Sequence, residues 1–224
     1  MTAWYEDAFG EEYLALYPHR DIAEARRDIA GLIDLLDPPR DEPVLDLCCG
    51  PGRHLQALHE AGFIDLTGID LSPILLDAAR RQLNAVGAAD VRLVRSDMRR
   101  IPFRDRFAVA LSLFTSFGYF EKTEDDVAVL EAMSRALRPG GSLVIDTLNR
   151  PWTIAHLVPH SERTMDGIHS EVRRHLSPDG LRVEKEVRFD APGGEPTVHR
   201  ESVRMYTPDE MRAHLNCVGC SNIR

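Results

Sequence analysis

The stretch VLDLCCGPGRH, residues 44–54, determines the expected fold. Its first part, VLDL, is a short apolar run of the kind that forms a buried parallel strand, interrupted by the acid Asp46. Gly50 and Gly52 then permit a tight turn and a close approach of the backbone to another group. Apolar residues follow at helical spacing, so the stretch predicts a strand, a glycine-rich turn and a helix. Because a buried carboxylate needs a partner, the turn is expected to hold a small molecule.

The nature of this ligand can be narrowed from the same residues. A dinucleotide-binding turn reads G-x-G-x-x-G and places a pyrophosphate on the helix N-terminus, but this stretch lacks the third glycine at that spacing. Asp46 would also repel a pyrophosphate. An acid beside such glycines better suits a ligand with an ammonium group and ribose hydroxyls. A turn without any ligand is the remaining alternative, and it leaves the buried acid unexplained.

Residues 46–52, DLCCGPG, resemble the first motif of class I S-adenosylmethionine (SAM) dependent methyltransferases, D-x-G-x-G-x-G. Cys48 stands where that family usually has its first glycine. LRPGG followed by LVID, within residues 137–146, is typical of the same family. The resemblance covers residues 44–146 in the expected order. It implies SAM as the cofactor and transfer of a methyl group to the N or O nucleophile of a small-molecule acceptor.

Two further acids follow predicted strands. Asp70 ends the next strand at about the distance from the glycine turn at which an acid meets ribose hydroxyls. After the third strand, the resemblance implies that Asp97 accepts from the adenine amino group and that the amide of Met98 serves a ring nitrogen. The alternatives are that Asp70 only caps the turn that follows it and that Asp97 is a solvated acid in a turn. The expected cofactor-binding residues are Asp46, Cys48, Gly50, Gly52, Arg53, Asp70, Leu71, Asp97, Met98, Leu113, Tyr17 and Arg20.

The N-terminal segment is rich in aromatic residues between Trp4 and Tyr17. These rings either pack against the domain or form a lid whose faces meet a sulfonium through cation–π contacts. In the methyltransferases that this chain resembles, N-terminal helices often cover the cofactor. In that arrangement Arg20 would meet the cofactor carboxylate.

The segment FTSFGYF, residues 114–120, follows the apolar strand FAVALSL directly. It forms either a cavity wall beside the transferred methyl group or simple core packing. It lacks the Asn/Asp-Pro-Pro-aromatic sequence common in enzymes that methylate DNA bases or glutamine, which favours a small-molecule acceptor. No residue stands out as a general base, so no catalytic residue is assigned. The expected substrate-pocket residues are Phe114, Ser116, Phe117, Tyr119 and Tyr206.

The strand–helix alternation up to residue 146 predicts an α/β, Rossmann-like, doubly wound and mainly parallel sheet in a single methyltransferase domain. Its parts are a helical lid (1–40), a SAM-binding core (41–146), a small antiparallel β insertion after strand 5 (147–206), and a C-terminal helix with the start of a strand (207–224). Strands are expected at 171–176, 181–189 and 198–206, with turns at 177–180 and 191–194. The charged residues of the insertion are expected on a solvated face rather than in a binding site; they include Arg173, Lys185, Arg188, Arg200 and Arg204.

Element ends are predicted from capping residues and turns. Ser72 before Pro73 and Thr207 before Pro208 read as helix starts, and Thr123 reads as another cap. The segment 138–141 reads as a turn before the fifth strand. The family has two further strands, so the C-terminal strands are expected to be incomplete. Two explanations are open: a truncated chain, or a sheet edge that something else completes, such as the partner subunit of a homodimer.

Composition excludes several classes of function. The net charge is −9 and no long basic run occurs, which argues against a nucleic-acid partner. No apolar stretch is long enough to span a bilayer, and the N-terminus does not read as a secretory signal, so a cytoplasmic protein with reduced thiols is expected. Four cysteines without further ligands at suitable spacing predict no metal site.

Two alternatives to a methyltransferase remain. One is a SAM-binding regulatory or pseudo-enzyme module, which the incomplete C-terminus makes less remote. The other is a nicotinamide-dependent oxidoreductase, which the spacing of the glycine turn and Asp46 disfavour.

Overall fold

A computed structural model describes residues 4–10, 13–14, 22–165, 168–190 and 197–224. The described helices are α1 (Trp4–Asp7), α2 (Ile22–Leu36), α3 (Arg53–Glu60), α4 (Pro73–Ala85), α5 (Thr123–Ala136), α6 (Arg150–His156) and α7 (Pro208–Cys217). The described strands are β1 (Val44–Leu47), β2 (Leu66–Asp70), β3 (Arg92–Arg95), β4 (Phe107–Ser112), β5 (Leu137–Ile145), β6 (His160–Met165), β7 (Ile168–Leu176), β8 (Arg182–Asp190) and β9 (Thr197–Arg204). Tyr17, Arg20 and the turn predicted at 191–194 lie outside the described residues.

The first five strands form one sheet in the order β3-β2-β1-β4-β5, with every neighbouring pair parallel. Strands β1, β2 and β4 are buried along their whole length, which explains their continuous apolar runs. Alternate residues face opposite sides: Val44 packs with α2, α3 and α4, whereas Leu45 and Leu47 pack with α5. The predicted Rossmann-like, doubly wound fold is therefore confirmed.

The order of the strands reverses between β1 and β4. The chain runs outward from β1 through β2 to β3 and then returns to place β4 on the other side of β1. The connecting loops at the carboxyl ends of β1 and β4 consequently leave in different directions and open a crevice. In sheets of this kind, ligands bind at such a point.

The remaining four strands form a separate antiparallel sheet in the order β6-β7-β8-β9. The predicted insertion is confirmed, and so is the turn at 177–180, where Gly180 has a φ of 68°. Helix α6 and strand β6 were not predicted. The β6 sequence HSERTM is polar and has no apolar alternation, so periodicity could not identify it.

Several predicted element ends can be compared with the structure. The Ser72 hydroxyl accepts from the Leu75 amide at 3.2 Å, and Thr207 forms a complete capping box with Glu210, so both caps are confirmed. The Thr123 cap is wrong: Thr123 is already helical, and Lys122 holds the N-cap position without a side-chain hydrogen bond.

The C-terminal part of the parallel sheet also differs from expectation. Residues 138–141 do not form a separate turn, because β5 begins at Leu137 and absorbs them in a register shift opposite β4. The start of a strand predicted near the C-terminus is wrong, since residues 218–224 adopt turn and irregular structure. In that region the Ser134 hydroxyl instead donates to the Val218 carbonyl at 2.8 Å, which ties the end of α7 to α5. No helix in the described part of the chain has the length and apolar character to cross a membrane.

Candidate active site

A pocket of about 1050 Å³, counted to its open mouth, lies at the carboxyl ends of β1, β2, β3 and β4. The strand order reverses here, so this is where the fold favours a ligand. Most of the predicted cofactor-binding residues lie on its wall, which brings the sequence motifs together in space. Those on the wall are Cys48, Gly50, Arg53, Asp70, Leu71, Asp97, Met98 and Leu113.

The glycine turn between β1 and α3 adopts left-handed backbone conformations at three positions. The φ angles of Cys48, Gly50 and Gly52 are 60°, 55° and 85°. A Cβ at Gly52 would lie 3.1 Å from the Ala79 Cβ, so this glycine permits close packing on α4. A Cβ at Gly50 would meet nothing within 4 Å, so its backbone borders open space. Gly50 therefore leaves room for the close approach of a ligand, and the contact itself stays a prediction.

The Asp70 carboxylate, at the end of β2, joins the glycine turn to the start of α4. Its oxygens accept from the amides of Gly50 and Ser72, each at 2.9 Å. Burial raises the pKa of Asp70 despite these bonds. A carboxylate oxygen accepts two hydrogen bonds, so each oxygen retains capacity for one further donor at the pocket wall. The geometry fits a pair of neighbouring hydroxyls.

Asp46 lies behind the glycine turn and not on the pocket wall. Its side chain is buried, and Oδ2 has no hydrogen-bond partner among the described residues. Burial and the charge of Asp70 raise the pKa of Asp46 to about 7, although Arg53 works in the opposite direction. Asp46 was expected among the cofactor-binding residues, but it is buried beneath the glycine turn and does not line the pocket.

Arg53, the first residue of α3, is the cation of the pocket wall beside the glycine turn. It is buried, forms an ion pair with Glu24, and places its guanidinium 4.3 Å from the centre of the Phe114 ring. Its Nη2 has no hydrogen-bond partner among the described residues. An unsatisfied buried donor fits an anionic group such as a carboxylate.

Asp97 is bound by a residue that sequence reasoning missed. The Arg99 guanidinium donates to its carboxylate at 2.6 Å and to Asp125 at 2.9 Å, and packs over the Phe120 ring at 4.3 Å. Burial raises the pKa of Asp97, but Arg99 outweighs burial and holds it below its usual value. Asp97 is therefore ionised at neutral pH, and any ligand shares its carboxylate with Arg99. The two residues are only two positions apart in the sequence, and this closeness of opposite charges could have indicated the pair.

The N-terminal segment lies across the mouth of the pocket. The Trp4 indole donates to the Tyr119 carbonyl at 3.3 Å, and the rings of Tyr5 and Phe120 are 5.2 Å apart. The Ser72 hydroxyl donates to the Phe9 carbonyl at 2.6 Å. Tyr5 and Phe9 line the pocket while packing on the domain, so packing is confirmed, and the cation–π contact of a lid with a sulfonium stays a prediction.

A second pocket of about 820 Å³ adjoins the first and reaches to the antiparallel sheet. The two pockets share four aromatic residues, here called the common wall: Phe9, Tyr13, Phe114 and Tyr119. The far side combines apolar and charged residues, namely Leu148, Thr153, Leu157, Arg174, Val183, Lys185, Glu201 and Val203. Lys185 and Glu201 form an ion pair at 3.2 Å with side chains only 16% exposed, so the solvated face predicted for Lys185 is wrong. The same prediction is confirmed for Arg173, Arg188 and Arg200, which are exposed.

The predicted substrate-pocket residues divide into two groups. Phe114 and Tyr119 line both pockets, and Ser116 lines the first. The prediction is wrong for Phe117 and Tyr206, which lie on neither wall. Both are buried in the core under α5. Tyr206 donates its hydroxyl to Asp126 at 2.7 Å. The left-handed conformations of Phe114 and Thr115 turn the loop so that Phe117 faces the core.

The parallel sheet in this order has a glycine turn after β1, an acid at the end of β2 and another acid after β3. This arrangement is that of a class I SAM-dependent methyltransferase. The sequence model of the family described as "Methyltransferase domain" matches residues 44–141. The chain is 30% identical to a dTDP-3-amino-3,4,6-trideoxy-alpha-D-glucopyranose N,N-dimethyltransferase from Streptomyces venezuelae, over 91% of this chain and 84% of that protein. The chain belongs to the SAM-dependent methyltransferase family.

Solved structures agree with this assignment. A sugar N-methyltransferase from Streptoalloteichus sp. is 28% identical, with a TM-score of 0.78, over 99% of this chain and 89% of that chain. A SAM-bound amino pentose methyltransferase from Micromonospora echinaspora is 26% identical, with a TM-score of 0.73, over 94% of this chain and 89% of that chain.

The chain is thus an enzyme that uses SAM and methylates a small molecule. The residues present fit this cofactor: Asp70 offers acceptors to ribose hydroxyls, Arg53 has an unsatisfied donor, and Gly50 leaves room for a close approach. The cytoplasmic location, the homodimer, and the absence of a metal or nucleic-acid partner stay predictions.

Proposed function

We propose that this enzyme N-methylates the amino group of a sugar nucleotide, with SAM in the first pocket and the acceptor in the second. The observation that carries the proposal is the common wall, because a methyl group must pass between two ligands that meet there. The names of the relatives, which include a dTDP-3-amino-sugar N,N-dimethyltransferase and a sugar N-methyltransferase, support this acceptor class.

In this proposal, different residues of the first pocket bind different parts of SAM. Asp70 accepts from the two ribose hydroxyls, and Arg53 binds the carboxylate of the amino-acid end. Asp97 and the amide of Met98 face the adenine, with Arg99 holding the Asp97 carboxylate in place. Each hydrogen bond to a charged group contributes about 1.5–3 kcal/mol, so Asp70 and Arg53 dominate the affinity. Roles for Tyr17 and Arg20 stay predictions.

The charges of the second pocket support an acceptor with an anionic part. Among its described lining residues, Arg174 and Lys185 are cationic and Glu201 is acidic, which leaves a net positive charge. A diphosphate fits such a site better than an uncharged quinone does. Leu157 and Val203 offer apolar surface to the deoxygenated face of a sugar, and the Glu201 carboxylate can accept from an amine or hydroxyl.

When bound, SAM supplies a methyl group on a positively charged sulfonium. The protein's contribution is alignment and exclusion of water. Holding two reactants in line can lower a barrier by about 7–11 kcal/mol. The rings of the common wall offer π faces to a cation, worth about 0.5–2 kcal/mol each, and keep water from the meeting point of the pockets.

A direct test supplies the purified protein with SAM and dTDP-3-amino-3,4,6-trideoxy-α-D-glucopyranose and follows the product mass. We expect successive addition of methyl groups and no reaction with the 3-hydroxy sugar nucleotide. SAM binding is measured separately by calorimetry. If SAM binds but neither this amine nor other amino-sugar nucleotides are methylated, the acceptor class is wrong. If a demethylated ubiquinone precursor is methylated instead, the second pocket has been misinterpreted.

A further inference from the structure

One guanidinium connects the antiparallel sheet to the loop that separates the two pockets. Arg182, the first residue of β8, donates from Nη1 to the Phe120 carbonyl at 2.8 Å, and from Nη2 to the carbonyls of Gly118 and Tyr119 at 3.2 Å each. The same guanidinium donates to the hydroxyl and the carbonyl of Ser202 on β9, at 2.8 and 2.7 Å. Three consecutive loop carbonyls are thus fixed to two strands of the sheet.

The loop held in this way, residues 114–120, contributes to the common wall through Phe114 and Tyr119. Its backbone is strained, because Phe114 and Thr115 both have a φ of 59°. Such conformations persist only where the surroundings impose them. At the start of the loop, the Asp146 carboxylate accepts from the Phe114 amide at 3.0 Å.

The other end of the loop lies directly against β9. The Gly118 carbonyl accepts from the Arg204 amide at 2.7 Å, and a Cβ at Gly118 would lie 2.5 Å from the Arg204 carbonyl oxygen. No side chain fits between the loop and the strand at this point. The carbonyls of the loop therefore keep their places only if the sheet, and the guanidinium on it, keep theirs.

We propose that Arg182 is a positioning residue, which fixes the common wall and thereby couples the acceptor side of the molecule to the SAM pocket. This inference rests on the proposed function. The residues next to Arg182 and Ser202 along their strands, Val183 and Glu201, line the second pocket. An acceptor that contacts β8 and β9 therefore acts on the same unit that holds the carbonyls of residues 118–120, and through them the aromatic side of the cofactor pocket.

The test compares Arg182→Met and Arg182→Lys with a control on the same strand, Val187→Ala, whose buried side chain lies five residues further along β8. S-adenosylhomocysteine binding is measured by calorimetry, amide hydrogen exchange is measured on peptides covering residues 114–120, and melting temperatures are recorded. For Arg182→Met we expect both the dissociation constant and the exchange rate of the loop to rise by about tenfold or more. Arg182→Lys should recover part of both, because one ammonium replaces only some bonds of the planar fork.

The Val187→Ala control should lose melting temperature while both readouts stay within about twofold, since a cavity costs stability without releasing the loop. The inference is overturned if Arg182→Met leaves either readout unchanged, or if Val187→Ala moves both equally. If the wild-type protein binds S-adenosylhomocysteine but methylates no amino-sugar nucleotide, the proposed function fails while the Arg182 readouts still stand, so the two failures are distinguishable.

Discussion

Replacement of Asp70 by alanine tests the most specific claim about the cofactor pocket. The carboxylate accepts from the amides of Gly50 and Ser72 at 2.9 Å each, and we assign its remaining capacity to two ribose hydroxyls. The variant loses the ligand bonds and also releases the glycine turn. With about 1.5–3 kcal/mol for each bond to a charged group, loss of two ligand bonds amounts to about 3–6 kcal/mol. At about 1.4 kcal/mol per decade, the dissociation constant for SAM should rise by about 10²–10⁴-fold.

The assay is calorimetric titration with SAM and with S-adenosylhomocysteine, using Asp90→Ala as a control because Asp90 is an exposed acid. A double-mutant cycle separates ligand bonds from release of the turn: a cofactor analogue without the 2′-hydroxyl should lose much less affinity in Asp70→Ala than the full cofactor does. An unchanged dissociation constant would remove Asp70 from the site. Equal losses for both ligands would show that Asp70 acts only by holding the turn.

Three further predictions concern Asp46, Arg53 and the second pocket. Burial raises the pKa of Asp46 from 3.8 to about 7, so the folded state retains this proton to higher pH than the unfolded state, and the free energy of unfolding should fall as pH rises through this range. The free energy of unfolding should change by at most roughly 4 kcal/mol. Denaturant titrations at several pH values should show this dependence in the wild type and a weaker dependence in Asp46→Asn. A wild-type protein whose free energy of unfolding does not vary with pH would contradict the burial argument. Arg53→Met should raise the dissociation constant for SAM by about 10–100-fold but leave that for methylthioadenosine, which lacks the amino-acid end, unchanged; equal loss for both would indicate a purely structural role. Leu157→Trp should fill part of the second pocket and raise the KM for the acceptor by about tenfold or more without changing SAM affinity, whereas Ile154→Trp, an exposed position on α6, serves as the matched control. Acceptor kinetics that are identical for these two variants would exclude the second pocket as the acceptor site.

Much of the SAM-binding core could be predicted from local sequence patterns. The buried strand, the glycine turn and the helix lie within residues 44–60, so neighbouring residues determine them without long-range information. Asp70 and Asp97 follow strands of a parallel sheet, and the carboxyl ends of such strands meet at one edge, so their convergence could be expected as well. The caps at Ser72 and Thr207 are equally local.

The walls of the second pocket could not be predicted from local sequence patterns. Whether a loop side chain faces a cavity or the core depends on the backbone angles imposed by distant contacts, which is why Phe117 and Tyr206 were misassigned while Phe114 and Tyr119 were not. A polar residue on an amphipathic strand is predicted to face solvent unless another element covers it, and this explains the error at Lys185.

The alternating pattern of the chain and its short motifs therefore determined the cofactor half of this enzyme, because those features depend on residues close together in the sequence. Only the tertiary structure decided the walls of the second pocket, where the antiparallel sheet meets the loop of residues 114–120. There the guanidinium of Arg182 donates to carbonyls that are 62–64 positions away in the sequence. A local sequence pattern cannot predict a partner at such a separation.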